Sequence, residues 1–328
     1  MRRAMYEAEV ADEQRKLDPT VNALQERVAE LLGKEAGLFL PSGTMCNAIS
    51  FRLHIRSSGD EAILHESAHP IVAEAGGPAA ISGAMLRPLV ADGGIFSAQQ
   101  VEAAIRPIDR HQPLSRLLSV EQTTNMGGGR VWPQRALREV VEVARRHDMC
   151  THMDGARLMN AVVASGVPAA QHADGFDTAW IDFTKGLGAG VGACMAASED
   201  LIDEAWRYKQ MWGGAFRQAG SIAAAGLYAL DHNVERLAED HENARALAEG
   251  LAAIDGVEID PQTVETNIVI FRVPDPGALI AQLASEVELS PAAGGMVRAV
   301  THMDVSREDI DRALVAIESA LQGSLRAR

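Results

Sequence analysis

The chain has 328 residues, 47% of them apolar and 23% charged, which excludes a disordered protein and allows a large core beside a smaller one. Its net charge of −15 argues against nucleic acid or an anionic membrane surface as a partner, and any anionic ligand then needs a local positive site. No run of 18 apolar residues is present to span a bilayer, and the opening stretch from Met1 to Lys16 lacks the apolar centre of a secretory signal.

The first element is a helix from Pro19 to about Leu32. Asp18 is placed to cap it, Pro19 suits its first turn, and Val21, Leu24, Val28, Leu31 and Leu32 share one face. Gly33 is its natural stop. A short apolar run follows at 37–40, then Pro41-Ser42-Gly43-Thr44 and a helix-like stretch to Ile55. Beyond it the pattern alternates. Strands are expected at 62–64, 85–90, 117–120, 149–153, 178–183 and 191–196, and helices at 70–75, 97–105 and 133–146. Ser97 and Gln100 form a capping-box pair. Strand–helix alternation of this kind implies an α/β layer structure with a mostly parallel sheet, whose sites gather at the strands' carboxyl ends. From about residue 220 the texture changes. An Ala- and Leu-rich stretch, 221–254, reads as one long helix or two. Short strands at 267–273 and 297–300 and helices at 276–284 and 306–321 then suggest a smaller α+β domain.

Lysine is rare, occurring only at Lys16, Lys34, Lys185 and Lys209. Lys185 follows an apolar strand and precedes Gly186-Leu187-Gly188. A desolvated amine there has a lowered pKa and becomes nucleophilic, as Schiff-base chemistry with pyridoxal phosphate (PLP) requires. The alternative is a surface lysine in a turn. Asp154, also ending an apolar strand, can pair with a protonated pyridine nitrogen, or simply cap the next helix. Ser42-Gly43-Thr44, between strand and helix, offers free amides for a phosphate. His69 can stack on an aromatic ring or serve structurally, and Arg157 and Arg298 are candidate forks for a carboxylate. The three cysteines, Cys46, Cys150 and Cys194, lack metal-ligand spacing and read as buried thiols in a reducing compartment, the cytoplasm. No convergent metal-ligand set is visible.

The stretches DPTVNALQ, KEAGLFLPSGT, AHPIVAEAGG, DGARLMNAVVASG, TKGLGAGVGA, GGAFRQAG, RLAEDHENA and VRAVTHMDVSRE closely resemble the low-specificity L-threonine aldolases, from about Leu17 to the C-terminus. The resemblance implies a fold-type-I PLP enzyme with a large PLP-binding α/β domain over 1–220. A helical connection and a small C-terminal α+β domain would fill 221–328. It implies a homodimer or homotetramer with active sites at the dimer interface, and an amino acid as the small-molecule substrate. Carried over, Lys185 would hold PLP, Asp154 face the pyridine nitrogen, Gly43 and Thr44 contact the phosphate, and His69 stack on the ring. Arg157, beside the cofactor, and Arg298 would bind the substrate carboxylate. The expected reaction is cleavage of a β-hydroxy-α-amino acid to glycine and an aldehyde.

The sequence departs from that family in several places. A serine-bearing SDTVT-like segment has no counterpart in these residues, and no aromatic precedes Asp18. Glu121-Gln122-Thr123-Thr124-Asn125 stands where the family has ENTHN. Thr124 thus replaces a histidine as the candidate partner of the substrate hydroxyl; threonine hydrogen-bonds but is no base near neutral pH. An Arg-Lys pair is shifted to Lys209-Gln210. Other PLP reactions (β-elimination, racemisation or transamination) and a catalytically idle paralogue are therefore the alternatives. The glycines at 127–129 lack the spacing of a dinucleotide-binding loop and read as a turn.

Overall fold

The alternation of short apolar strands and helices resolves, in a computed structural model that describes residues 1–326, into a seven-stranded sheet followed by a three-stranded one. The large sheet comprises β1 (Ala36–Leu40), β2 (Glu61–His65), β3 (Met85–Leu89), β4 (Ser115–Glu121), β5 (Cys150–Asp154), β6 (Thr178–Asp182) and β7 (Ala193–Ala197). Their spatial order is β1-β7-β6-β5-β4-β2-β3. All run parallel except β7, which pairs antiparallel with both neighbours. The carboxyl ends of the other six strands therefore gather at one edge of the sheet, and the chain enters β7 from that same edge.

The local signals explain the elements. Helix Pro19–Leu32 begins where the Asp18 side chain accepts from the Thr20 and Val21 amides and ends at Gly33 in the left-handed region (φ 64°). Its apolar face, Val21, Leu24 and Val28, packs with Phe39, Ile181 and Phe183 in the main core. Burying each such side chain contributes about 1.5–3 kcal/mol. The opposite face of the sheet is closed by Ile49 against Leu38, Trp180 and Met195, and by Phe51 against Leu64 and Leu117. Ser97 and Gln100 form the reciprocal capping box of helix Ala98–Ala104. The stretch expected as a helix over 70–75 is a single turn, His69–Val72, followed after Gly76 by a second short helix, Gly77–Ser82.

The Ala-rich stretch is two helices, Gly220–His232 and Leu237–Ala252. Ala223, Ala225, Ala229 and Leu237 belong to the main core, whereas Ala244, Leu247 and Leu251 belong to the C-terminal one. The smaller core is roofed by an antiparallel sheet of β8 (Ile268–Phe271), β9 (Ser290–Ala292) and β10 (Met296–Val300), ordered β8-β10-β9. Helices Pro276–Leu283 and Arg307–Arg326 complete it. Among the described residues no helix is long and apolar enough to cross a membrane.

Candidate active site

A cleft of about 460 Å³ opens at the carboxyl edge of the large sheet and is lined by Ser42, Gly43, Thr44, His69, Glu121, Thr123, Asn125, Asp154, Arg157, Asp182, Thr184, Lys185 and Arg298, among others. On one side, helix Gly43–His54 starts directly after β1. Ser42 caps it by accepting from the Met45 amide at 3.2 Å, which leaves the first-turn amides of Gly43 and Thr44 without intrahelical acceptors. Gly43 is required here because a Cβ would overlap the ring of Trp180.

Three adjacent strands, β4, β5 and β6, each end in an acid: Glu121, Asp154 and Asp182. Asp154 is 2% exposed. Its Oδ1 accepts from the Ala156 amide at 3.0 Å and its Oδ2 from Asn47 Nδ2 at 2.8 Å. Burial pushes its pKa up to about 6, against those two hydrogen bonds. Asn47 is the hub of a longer buried chain. Its Nδ2 also donates to Glu74 at 2.7 Å, while its Oδ1 accepts from Trp180 Nε1 at 2.9 Å. Indole nitrogen only donates and carboxylates only accept, so the amide orientation is fixed. Asn47 Oδ1 must then accept from His152 Nε2 at 3.0 Å. Burial depresses His152 to about 3, so the neutral ring's Nδ1 accepts from Thr178 Oγ1 at 2.8 Å. That hydroxyl in turn accepts from His54 Nε2 at 3.0 Å. Every donor in the chain from His54 to Asn47 thus points toward Asp154 as terminal acceptor.

Glu74 reaches a second cleft residue, accepting from His69 Nδ1 at 2.8 Å. That bond raises the His69 pKa, burial opposing it, and leaves Nε2 as the free ring nitrogen. Glu121 accepts from the Asn125 amide at 2.6 Å and the His69 amide at 3.3 Å. Burial first, and the Asp154 charge second, push it up to about 7.

Across the cleft, Arg157 Nη1 and Arg298 Nη2 both donate to Asn125 Oδ1, at 3.4 and 2.9 Å. Burial, and for Arg298 also the Arg157 charge, lowers both guanidinium pKa values, Arg298 to about 10, which keeps Arg298 cationic near neutral pH. Their Nε atoms and the Thr123 hydroxyl are buried without a hydrogen-bond partner among the described residues. A ligand carrying oxygen acceptors satisfies such atoms.

The structure therefore brings Lys185, Asp154, Gly43, Thr44, His69, Arg157 and Arg298 to one cleft, with two corrections. Thr124 is not among the residues lining it. Its hydroxyl accepts from the Arg130 amide at 3.2 Å and its side chain lies against Gly94, while Thr123 faces the cleft instead. Lys185 is also solvent-exposed rather than desolvated, because the turn after β6 projects from the open edge of the sheet. Sequence reasoning missed Asn47, Glu74, Glu121 and Asp182. The available signal was an acid closing each apolar strand, at Glu121 and Asp182 as at Asp154.

A group with a ring nitrogen at Asp154, a carbonyl at Lys185 and a phosphate at the Gly43–Thr44 amides fits these residues, and the fold and the site together define a fold-type-I PLP-dependent enzyme. The model of the beta-eliminating lyase family matches residues 1–274, and the chain belongs to that family. It is 40% identical to the low specificity L-threonine aldolase of Escherichia coli (strain K12) over 312 residues, covering 94% of this chain and 92% of that one. It is 37% identical to the protein of Arabidopsis thaliana named probable low-specificity L-threonine aldolase 2 over 327 residues, covering 97% and 92%. Among solved structures, Leishmania major threonine aldolase superposes with TM-score 0.79 at 19% identity, covering 93% of this chain and 90% of that one. Sphingomonas wittichii serine palmitoyltransferase superposes with TM-score 0.74 at 18% identity, covering 98% and 82%. These two share the fold.

Proposed function

We propose that this protein cleaves β-hydroxy-α-amino acids, threonine and allo-threonine among them, to glycine and an aldehyde. The observation that carries this reading is the convergence in one cleft of Lys185, buried Asp154 and the paired guanidinium groups of Arg157 and Arg298. Lys185 would hold PLP covalently, Asp154 would hold its pyridine nitrogen as a cation, Gly43 and Thr44 would take the phosphate, and His69 would cover the ring. Bound PLP supplies an electron sink for the pair left on Cα when the Cα–Cβ bond breaks.

The chain's own residues supply the rest. Arg157 and Arg298, sharing Asn125, clamp the substrate carboxylate and so fix which bond at Cα stands across the ring plane. His69, with Nδ1 tied to Glu74, presents Nε2 to accept the β-hydroxyl proton, and the Thr123 hydroxyl provides a hydrogen-bond partner for the same oxygen. A positioned proton acceptor contributes roughly 10²–10⁴ in rate. As that proton leaves, the β-carbon becomes the aldehyde and Cα takes up a proton to give glycine. We read 1–220 as the PLP-binding unit and 221–328 as the connection and small unit, which contributes Arg298. A cytoplasmic dimer or tetramer is the assembly we infer. Three free cysteines support the compartment, and exposed apolar side chains such as Tyr6, Met211 and the cleft-lining Val191 support a covered surface.

A second reading, β-elimination on the same cofactor, is favoured by one observation: Thr124, the residue expected to meet the substrate hydroxyl, is not among those lining the cleft. The two readings separate by product. Purified protein with PLP is expected to show a visible band that Lys185→Ala lacks, and to yield acetaldehyde and glycine from L-threonine. Formation of 2-oxobutyrate and ammonia instead would establish elimination, and absence of the band in the unmodified protein would sink both.

A further inference from the structure

Asp182 has no part in the scheme above, yet it sits at the cradle. It closes β6 three residues before Lys185 and is 6% exposed. Its Oδ1 accepts from both the amide and the hydroxyl of Thr184, each at 2.6 Å. Its Oδ2 lies 3.0 Å from where a Cβ on Gly43 would stand. That second oxygen therefore lies beside Gly43, next to the end of helix Gly43–His54 whose unpaired amides draw an anion, and on the wall of the same cleft.

The Asp182 charge acts on Arg157, but that guanidinium is itself held on Asn125. The arginines lining the cleft, Arg157 and Arg298, are gathered on Asn125 beyond the end of β4. Lys185 is committed to the aldehyde carbon. A phosphate at Gly43 and Thr44 thus meets helix amides and a carboxylate, with no cationic side chain of this chain assigned to it.

We propose that Asp182 is a specificity-determining residue of the cofactor cradle, one that weakens the hold on the 5′-phosphate. This chain would then favour PLP over dephosphorylated pyridoxal by less than a neutral side chain at that position would allow. The inference rests on the reading of the cleft as the PLP site. Like charges a few ångströms apart in a partly solvated site interact strongly enough to change an equilibrium by about tenfold to a hundredfold.

Asp182→Asn isolates the charge, since the side-chain oxygen that accepts from Thr184 is retained. Dissociation constants for PLP and for pyridoxal would be measured by visible absorbance on reconstituted unmodified protein and on the variant. The preference for PLP over pyridoxal is expected to rise about tenfold or more in Asp182→Asn, through tighter PLP with pyridoxal little changed. A preference unchanged within about twofold, or equal changes for both aldehydes, would overturn the inference while leaving the PLP site standing. Asp182→Ser provides a second neutral variant if Asp182→Asn folds poorly, and is expected to move the preference in the same direction. Absence of a Lys185-dependent band with either aldehyde in the unmodified protein would remove the site itself, and the inference with it.

Discussion

Asn47 Nδ2 donates to Asp154 Oδ2 at 2.8 Å, joining the fifth residue of helix Gly43–His54 to the end of a strand 107 residues later. Because Asn47 uses both amide hydrogens on carboxylates and its oxygen on Trp180 and His152, it cannot rotate without breaking four hydrogen bonds. It therefore keeps Asp154 in the accepting state that a pyridinium partner needs.

The two roles of Asn47, filling space and supplying donors, predict opposite rankings of its variants. Asn47→Asp is nearly isosteric but places a third carboxylate between Asp154 and Glu74. It is expected to weaken PLP binding more than Asn47→Ala, and more at pH 8 than at pH 6. Both should lose about 1–3 kcal/mol of stability through unpaired buried groups. A PLP titration in which Asn47→Asp is the milder variant would reduce Asn47 to a packing residue.

Gly43→Ala is expected to cost about 1–3 kcal/mol by overpacking against the Trp180 ring and to weaken PLP binding by displacing the first-turn amides. The overlap involves the outer atoms of the indole, Cη2 and Cζ3. Adding Trp180→Phe should therefore restore part of the PLP affinity. Thermal melts and PLP titrations of the single and double variants check this, and the absence of any recovery would place the defect elsewhere.

Removing the cofactor should tilt the pH dependence of stability. Asp154 and Glu121 have folded pKa values raised to about 6 and about 7, above those of an unfolded chain. The folded apoprotein thus binds more protons than the unfolded chain between about pH 4 and pH 7, and loses stability as pH rises through that window. A cation on the ring nitrogen of bound PLP offsets the Asp154 part. Melting temperatures of apoprotein are expected to fall more steeply from pH 5 to pH 8 than those of PLP-loaded protein. Equal slopes would show that Asp154 does not face the cofactor.

Lys209 and Glu13 form an ion pair whose side chains are 0% and 1% exposed. The second Glu13 oxygen accepts from the Phe216 amide at 2.8 Å, and Lys209 lies 4.4 Å over the Trp206 ring. Glu13→Ala leaves a buried ammonium unpaired and is expected to lose about 3–5 kcal/mol in a denaturant titration. The double change Glu13→Leu with Lys209→Met should lose much less. A double variant as unstable as the single would mean that the amide contact, not the pair, dominates.

Much of this molecule was legible in residue order where the signal is local. Asp18 and Gly33 bound their helix, Ser97 and Gln100 cap theirs, and Lys185 and Asp154 follow apolar strands that had to end at the sheet's carboxyl edge. The unread parts depend on tertiary placement. Arg298 meets Asn125 across 173 residues, while Asn47 lies in a helix and Glu74 in the link between two short helices, segments whose inward-facing residues are chosen only by the strand order above them. Thr124 shows the sharper limit, since neighbouring residues after a strand point opposite ways and the pattern did not say which of Thr123 and Thr124 turns inward. The exposure of Lys185 was hidden for a related reason, because an apolar flank describes the strand and not the open turn beyond it.

The reversal of β7 has a bearing on the order in which the protein can assemble. β1 touches the sheet only through β7, with Leu40 opposite Ala193. β1, which leads into the amides at Gly43 and Thr44, is among the first parts of the chain to leave the ribosome, but it has no strand to pair with until β7 has been made. Closing so long a loop is entropically slow. During synthesis the strands from β2 to β6 can pair before β1 docks, and an early-released fragment ending before β7 would carry the lysine and the aspartate yet leave β1, the lead-in to the phosphate end, without a strand partner.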